Sequence, residues 1–254
     1  MPTRAIIVAA GMGRRLAPYT DDRPKCLVEV NGRSILERQI EAYRRSGVEE
    51  ICVVRGYRAE DIRFPDLRYF ENPDYRTNNI LASLMRAEAA MEGGFYFSYS
   101  DIVFRPEVVA RLVADEAGCG LVVDRRWHEA YEGRDQHPVS EAELAAIDEA
   151  THEVRAVGKR VVPREHAHGE FIGLAKFSAG VADRMRREYH RLAAERGKDA
   201  PFGTAPRFEV AYVSDMLNHL IGLGECFRSV DIDGGWREID TTQDLHRARE
   251  IVDW

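Results

Sequence analysis

The chain is short of several features by which proteins declare their class. It has four cysteines in 254 residues, scattered at Cys26, Cys52, Cys119 and Cys226, and no C-x-x-C. That spacing argues against a disulfide framework or a zinc knuckle, and predicts buried, reduced thiols in a cytoplasmic protein. No apolar run reaches membrane-spanning length, and no signal-peptide pattern precedes the first strand-like stretch. An excess of positive charge is missing too. The formal net charge is −7, which argues against nucleic acid or an anionic membrane as the main partner. An anionic small ligand must then be met by a local basic patch. No internal repeat, low-complexity tract or linker breaks the chain, so residues 1–254 read as one domain with ample material for a core.

The two common phosphate loops are also absent. There is no Gly-Lys-Ser/Thr, and Leu16 stands where a dinucleotide fingerprint needs its third glycine. What is present is Ala9-Ala10-Gly11-Met12-Gly13-Arg14-Arg15-Leu16-Ala17-Pro18-Tyr19-Thr20, closed by Pro24-Lys25 and fed by an apolar strand over Arg4 to Ala10. Two glycines two apart let the backbone turn tightly and bring its N–H groups close to an anion. Arginine grips phosphate oxygens with a planar fork, and lysine acts as a point charge. The stretch reads as a loop that wraps a polyphosphate.

The rest follows β-loop-β-α-β grammar, which implies a mostly parallel sheet flanked by helices. Lys25 to Val30 is predicted extended, Ser34 caps a helix to about Arg45, and Glu50 to Val54 is a second apolar strand. Leu67 to Glu71 and Phe95 to Tyr99 are strand-like, with a helix over Ile80 to Met91 between them. A helix from Arg105 to Ala114 precedes a strand from Cys119 to Val123. Trp127 to Ser140 is polar and aperiodic, the mark of a substrate loop. Glu143 to Ile147 and Glu153 to Val157 suit a hairpin, Glu170 to Phe177 and Cys226 to Val230 suit strands, and helices suit Ala182 to Arg196, Val210 to Leu220 and a stretch capped by Thr241 or Thr242.

Two aspartates are placed for chemistry. Asp101 stands where an apolar strand stops, the position at which open α/β sheets gather ligands. Asp240 lies in Trp236-Arg237-Glu238-Ile239-Asp240-Thr241-Thr242. Either could hold Mg²⁺, which prefers carboxylates, waters and phosphates, and either could merely cap the helix after it. Trp127, Tyr131 and Trp236 could cage a quaternary ammonium or be part of a core.

The pattern G-x-G-x-R-L-x-P-x-T…P-K resembles the signature of nucleotidyltransferases that join a nucleoside monophosphate to a phosphorylated sugar or alcohol. The resemblance implies an α/β, Rossmann-like nucleotidyltransferase fold with a mostly parallel central sheet. It implies that Ala9, Ala10, Gly11, Met12, Gly13 and Arg14 surround a triphosphate, that Arg15 and Lys25 are catalytic, and that Asp101 and Asp240 hold Mg²⁺. A glycosyltransferase of related fold would more often carry D-x-D, and Ser100-Asp101-Ile102 is not one.

Tyr75-x-Thr77-Asn78-Asn79-x-x-x-Ser83-Leu84 resembles the phosphocholine and phosphonate cytidylyltransferases, which places Asn78, Asn79 and Ser83 beside a cytosine. The alternative is that Asn78 caps a helix and Ser83 faces solvent. The segment 125–170 is assigned to the acceptor, with Asp124, Arg126, His137, Glu170 and Trp236 as its contacts. The stretch from Gly133 to Val139 departs from the phosphocholine pattern, and Arg125, Arg126, Arg134 and His137 suit a phosphonate head. The resulting expectation is transfer of CMP from CTP to a small phosphonate such as 2-aminoethylphosphonate or 2-hydroxyethylphosphonate. Phosphocholine or sugar 1-phosphates are the alternative acceptors, and a regulatory nucleotide-binding relative is the non-enzymatic one. A homo-oligomer is left open.

Overall fold

The computed structural model describes residues 1–254. In chain order its strands and helices are β1 (Arg4–Ala9), β2 (Glu29–Val30), β3 (Arg33–Ser34), α1 (Ile35–Arg45), β4 (Glu50–Arg55), β5 (Leu67–Glu71), α2 (Ile80–Met85), β6 (Phe95–Tyr99) and β7 (Ile102–Phe104). There follow α3 (Pro106–Ala114), β8 (Gly120–Asp124), α4 (His128–Tyr131), β9 (Glu143–Asp148), β10 (Glu153–Lys159), β11 (Gly169–Phe177), α5 (Ala179–Arg196), α6 (Val213–Gly222), β12 (Arg228–Ile232), β13 (Trp236–Glu238) and α7 (Thr242–Ile251).

Nine strands form one sheet in the order β5-β4-β1-β6-β11-β8-β12-β10-β9. Only β11 and β10 run against the rest, so the sheet is mostly unidirectional. Strand β1 lies inside the sheet between β4 and β6, and its side chains alternate between two cores. Ile6 and Val8 join the core under α2, α5 and α6, while Ala5, Ile7 and Ala9 join the core under α1 and α3. That is why its sequence is a near-continuous apolar run. A third, smaller core joins Leu16 from the end of the glycine loop to Val103, Ile239 and Leu245. It ties the loop to the C-terminal helix.

Local chemistry sets the element ends. Ser34 and Glu37 form a reciprocal capping box at α1: the Glu37 N–H donates to Ser34 Oγ, and the Ser34 N–H donates to the Glu37 carboxylate. Thr241 and Asp244 do the same at α7. Three expectations need correction. Lys25–Leu27 is one 3₁₀ turn rather than strand, closed by the Leu27 and Val28 N–H groups on Pro24 O and Lys25 O. The helix from Ile80 stops at Met85, where the hydrogen bonds tighten to i−3 at Arg86 and Ala87. Cys226 is exposed and precedes its strand, whereas Cys26, Cys52 and Cys119 are buried. No helix is long and apolar enough to cross a membrane.

Candidate active site

At the C-terminal end of β1 the chain leaves the sheet as a bare loop. Gly13 sits at φ 61°, in the left-handed region, and a Cβ there would stand 2.8 Å from Lys25 Cβ. The lysine stem is therefore packed on the glycine, and a side chain at 13 would displace it. Thr20 Oγ1 donates to Gly13 O at 2.9 Å and pins the loop. A Cβ at Gly11 would meet nothing, which leaves that backbone open to a ligand.

Asp101 and Asp240 are far apart in sequence. A two-stranded ribbon brings them together: β13 pairs antiparallel with β7, with Glu238 opposite Ile102, and the Ile239 N–H donates to Asp101 O at 2.8 Å. Neither aspartate caps a helix. Arg105 precedes α3 and Thr241 caps α7, so both carboxylates are free for other work. Lys25 Nζ lies 3.1 Å from Asp101 Oδ2 and also pairs with Asp240 Oδ1, while Arg15 Nη2 pairs with Asp240 Oδ2 at 2.5 Å. Burial disfavours the Lys25 charge, but Asp101 and Asp240 outweigh it and hold its pKa above the usual lysine range. Asp240 is likewise buried, yet Lys25, His137 and Arg15 hold it well below the usual carboxylate range.

These groups open on a cavity of about 400 Å³. The loop end is lined by Ala9, Ala10, Gly11, Gly13, Arg14, Arg15 and Lys25. Met12 is half-buried outside the lining, with its sulfur 3.6 Å from Arg14 Nη2. Beside the loop, Tyr75, Asn78, Asn79 and Ser83 form one wall. Asn72, itself buried, organises it: its Nδ2 donates to Asn78 Oδ1 at 2.9 Å and to Ser83 Oγ at 2.8 Å, and its Oδ1 accepts from Asn78 Nδ2. Asn78 is thus no helix cap, and Ser83 is buried rather than solvent-facing. Asn79 precedes α2, and its amide donates to Val210 O at 3.1 Å.

The rest of the lining is acidic and aromatic. It presents Glu141, Glu143 and Glu170 with Tyr99, Phe171, Tyr212, Trp236 and one cation, Lys159, and Glu238 stands between these and Asp240. Gly173, at φ 83°, makes this wall possible, because a Cβ there would stand 2.1 Å from the Tyr99 ring. Glu143 accepts from Tyr99 Oη and Ser214 Oγ, and burial pushes its pKa up to about 7. Glu170 accepts from Tyr131 Oη at 2.6 Å through one oxygen, while Oε2 is buried without a partner. Burial pushes Glu170 up to about 8. Cys26 also lines the cavity, but burial pushes its thiol up to about 12, which leaves it unreactive.

The acceptor assignments need correction where the loop is concerned. His137 is fully buried and does not line the cavity. It stands behind the acids, with Nδ1 3.2 Å from Asp240 Oδ2 and Nε2 3.4 Å from Glu238 Oε2, neither contact aligned as a hydrogen bond. Arg126 is exposed and forks onto Glu129 with two contacts of 2.7 Å. Asp124 is buried and structural, accepting from Trp236 Nε1 at 2.7 Å and from the Gly234 and Arg126 N–H groups. Arg134 is buried against Asp244 and Glu238 rather than facing a ligand. Trp127 and Tyr131 pack with Ala142, Leu144 and Val162 in a small core of their own. Of the five acceptor residues only Glu170 and Trp236 reach the cavity. Sequence reading missed Glu238, Tyr99, Glu143, Lys159 and Tyr212. Glu238 alone carried a local signal, since it stands two residues before Asp240.

The donor set fits a hard divalent cation. Asp101 Oδ1 is buried without a hydrogen-bond partner, and ligand atoms of His137, Glu238 and Asp240 lie within 4.8 Å of one another. Carboxylate oxygens are what Mg²⁺ and its neighbours take.

Comparison with known proteins agrees with this geometry. The chain is 30% identical over 252 residues to the CTP:phosphoglutamine cytidylyltransferase of Campylobacter jejuni, covering 95% of this chain and 97% of the relative. It is 31% identical over 206 residues to the 2-aminoethylphosphonate cytidylyltransferase of Lancefieldella rimae, covering 79% of this chain and 77% of the relative. Its fold matches the CTP:phosphocholine cytidylyltransferase of Streptococcus pneumoniae with a TM-score of 0.75, at 21% identity over the full length of both chains. Residues 5–175, which run from β1 through the glycine loop and Asp101 into β11, match the family described as a MobA-like NTP transferase domain. The chain belongs to that family and is a nucleotidyltransferase.

Proposed function

We propose that the protein transfers CMP from CTP to a small phosphonate or phosphomonoester that carries an amine, releasing pyrophosphate. The observation that carries this reading is the polarity of the cavity beside the glycine loop. One end offers bare amides, Arg14, Arg15 and Lys25, and the opposite wall offers Glu141, Glu143 and Glu170, the last with a buried carboxyl oxygen that has no partner. The first end suits a triphosphate and the second suits a cation. The named relatives act on acceptors that likewise combine a phosphorus group with nitrogen.

In this reading the acceptor oxygen attacks the α-phosphorus of CTP in line, forming one P–O bond as the bond to pyrophosphate breaks. That oxygen is already anionic, so no strong general base is required, and the barrier lies in bringing anions together. Lys25 meets the charge that develops on the α-phosphoryl oxygens and holds the acceptor beside them. Arg15 and the amides from Gly11 to Arg14 bind the β and γ phosphates. Asn78 and Ser83, held by Asn72, face the base, where an amide and a hydroxyl can pair with a carbonyl and an amino edge. Asp101 and Asp240 would hold Mg²⁺, which when bound supplies Lewis-acid neutralisation of phosphate charge.

A primary amine is favoured over trimethylammonium because an ammonium against Glu170 both donates a hydrogen bond to Oε2, which has no partner in the protein, and draws a carboxyl that burial leaves protonated back to its ionised form, and a quaternary group has no such donor. Phosphocholine is the second reading, supported by Tyr99, Tyr212 and Trp236 as aromatic walls. The test is pyrophosphate release from CTP and from UTP with 2-aminoethylphosphonate, 2-hydroxyethylphosphonate, phosphocholine and glucose 1-phosphate. Preference for CTP with the aminophosphonate supports the reading. A sugar phosphate as best acceptor, or no release with any pair, refutes it.

A further inference from the structure

Behind the acidic wall lies a second, much smaller cavity of about 10 Å³, enclosed between β13, α7 and the loop that follows α4. Arg134, Arg237 and Arg247 converge on it, against two acids, Glu238 and Asp244, with Trp236 as its apolar side. Both acids are spent on one arginine. Arg134 Nε donates to Asp244 Oδ1 at 2.6 Å, and its Nη2 donates to Glu238 Oε2 at 2.9 Å. The other oxygen of Asp244 accepts from the Asp240 and Thr241 N–H groups at the start of α7. Asp124, the other acid that bears on Arg237, is committed to Trp236 Nε1 and to the Gly234 and Arg126 N–H groups.

Two guanidinium groups are thus left beside this cavity with no carboxylate of their own. Arg237 donates to the Trp236 carbonyl at 2.6 Å, a neutral acceptor. Arg247, one turn beyond Asp244 on α7, has its Nη1 buried without a partner. Burial and the neighbouring Arg247 together press on the Arg237 charge and lower its pKa. A buried charged donor without a partner is costly, and so are two like charges side by side; one small anion relieves both. The volume sets the size of that anion, since it holds a single atom-sized ligand and excludes phosphate and sulfate. We propose that this cavity binds one monatomic anion, a halide, between Arg237 and Arg247. Glu238 and Trp236 line both this cavity and the one beside the glycine loop, so the ion braces the acidic wall from behind. The site stands whatever the acceptor is.

Thermal melts at constant ionic strength test it, with sodium chloride or bromide replacing sodium gluconate, whose anion is too large for the cavity. Tm should rise with halide and saturate, gaining about 3–6 °C at ten times the half-saturating concentration. Arg247→Met should abolish the saturating rise, and Arg247→Lys should keep part of it. Arg237→Met is the second variant should the first fail to fold. Bromide soaked into crystals of the wild type should give an anomalous peak between the two guanidinium groups. Halide and gluconate melts that coincide overturn the inference and leave water as the occupant. A saturating rise that survives the Arg247 and Arg237 variants overturns it too, as does bromide density found only at other sites.

Discussion

Removal of the Lys25 charge separates chemistry from structure, because the lysine serves both. Its ammonium is shared by Asp101 and Asp240, and the side chains are 11%, 29% and 7% exposed respectively. Losing one partner of a buried pair costs about 3–5 kcal/mol. Here Arg15 still neutralises Asp240 and water reaches Asp101, so the lower end, about 3 kcal/mol, applies. In a chain of this size that lowers Tm by about 6–12 °C. Lys25→Met is the better variant, since it keeps the stem on which Gly13 packs, and Lys25→Ala tests the added loss of packing. Turnover should fall about a hundredfold or more in both, the scale of one lost transition-state charge contact. Mg²⁺ should raise the Tm of the variants more than that of the wild type, because it would replace the missing charge between two bared carboxylates. Thermal melts with and without Mg²⁺, beside a pyrophosphate assay, read all three quantities. Near-normal kcat with a lowered Tm would make Lys25 structural and refute its place in the chemistry.

Asp101→Asn and Asp240→Asn should each keep the fold and lose most metal-dependent activity; full activity of Asp240→Asn at low Mg²⁺ would remove it from the metal site. Ser83→Ala removes one of the three hydrogen bonds by which Asn72 holds the base wall, and should cut the preference for CTP over UTP by about tenfold, measured as a ratio of kcat/KM; an unaltered ratio excludes Ser83 from base selection. The Glu170 carboxyl has its ordinary value of 4.5 in the unfolded chain and is pushed up to about 8 by burial in the folded one, so the folded protein binds the extra proton across that window. Its contribution to stability is full below about pH 4.5 and is lost as pH rises towards 8, at about 1.4 kcal/mol per unit. The Tm advantage of Glu170→Gln over wild type should therefore widen from pH 5 to 8 and level off above it; a constant difference would show that Glu170 is ionised throughout.

What the sequence disclosed is what is local in it. The apolar run of β1, the two glycines and the Lys25 position sit within one short stretch, and their chemistry follows from spacing alone. The capping boxes at Ser34 and Thr241 are equally local. The meeting of Asp101 with Asp240 was legible only through resemblance, because the ribbon that joins them has three residues per strand, too few for a periodic signal. Glu238 could have been found, since it ends β13 only two residues before Asp240, the spacing at which extended chain returns side chains to one side. Asn72, Tyr99, Glu143 and Lys159 could not. Each lies at or beyond the end of a strand, and the pairing of β9, β10 and β11 that assembles the far wall is non-local.

The loop from Trp127 to Ser140 was misread for a reason that bears on how the site works. Its cations were assigned to the ligand because the fold shows no other use for them in sequence. In the folded chain Arg134 is spent on Asp244 and Glu238, and His137 is wedged between Glu238 and Asp240. The loop therefore acts from behind. It neutralises and aims carboxylates that would otherwise repel one another, since burial and Asp240 together raise the pKa of Glu238. Trp127 and Tyr131 anchor the loop in its own small core, and Tyr131 reaches forward from that core to fix one oxygen of Glu170. An irregular polar segment can thus shape the far wall of a cavity with none of its own side chains lining it. Arg134 is matched to Glu238, which does line it, and to Asp244 behind it.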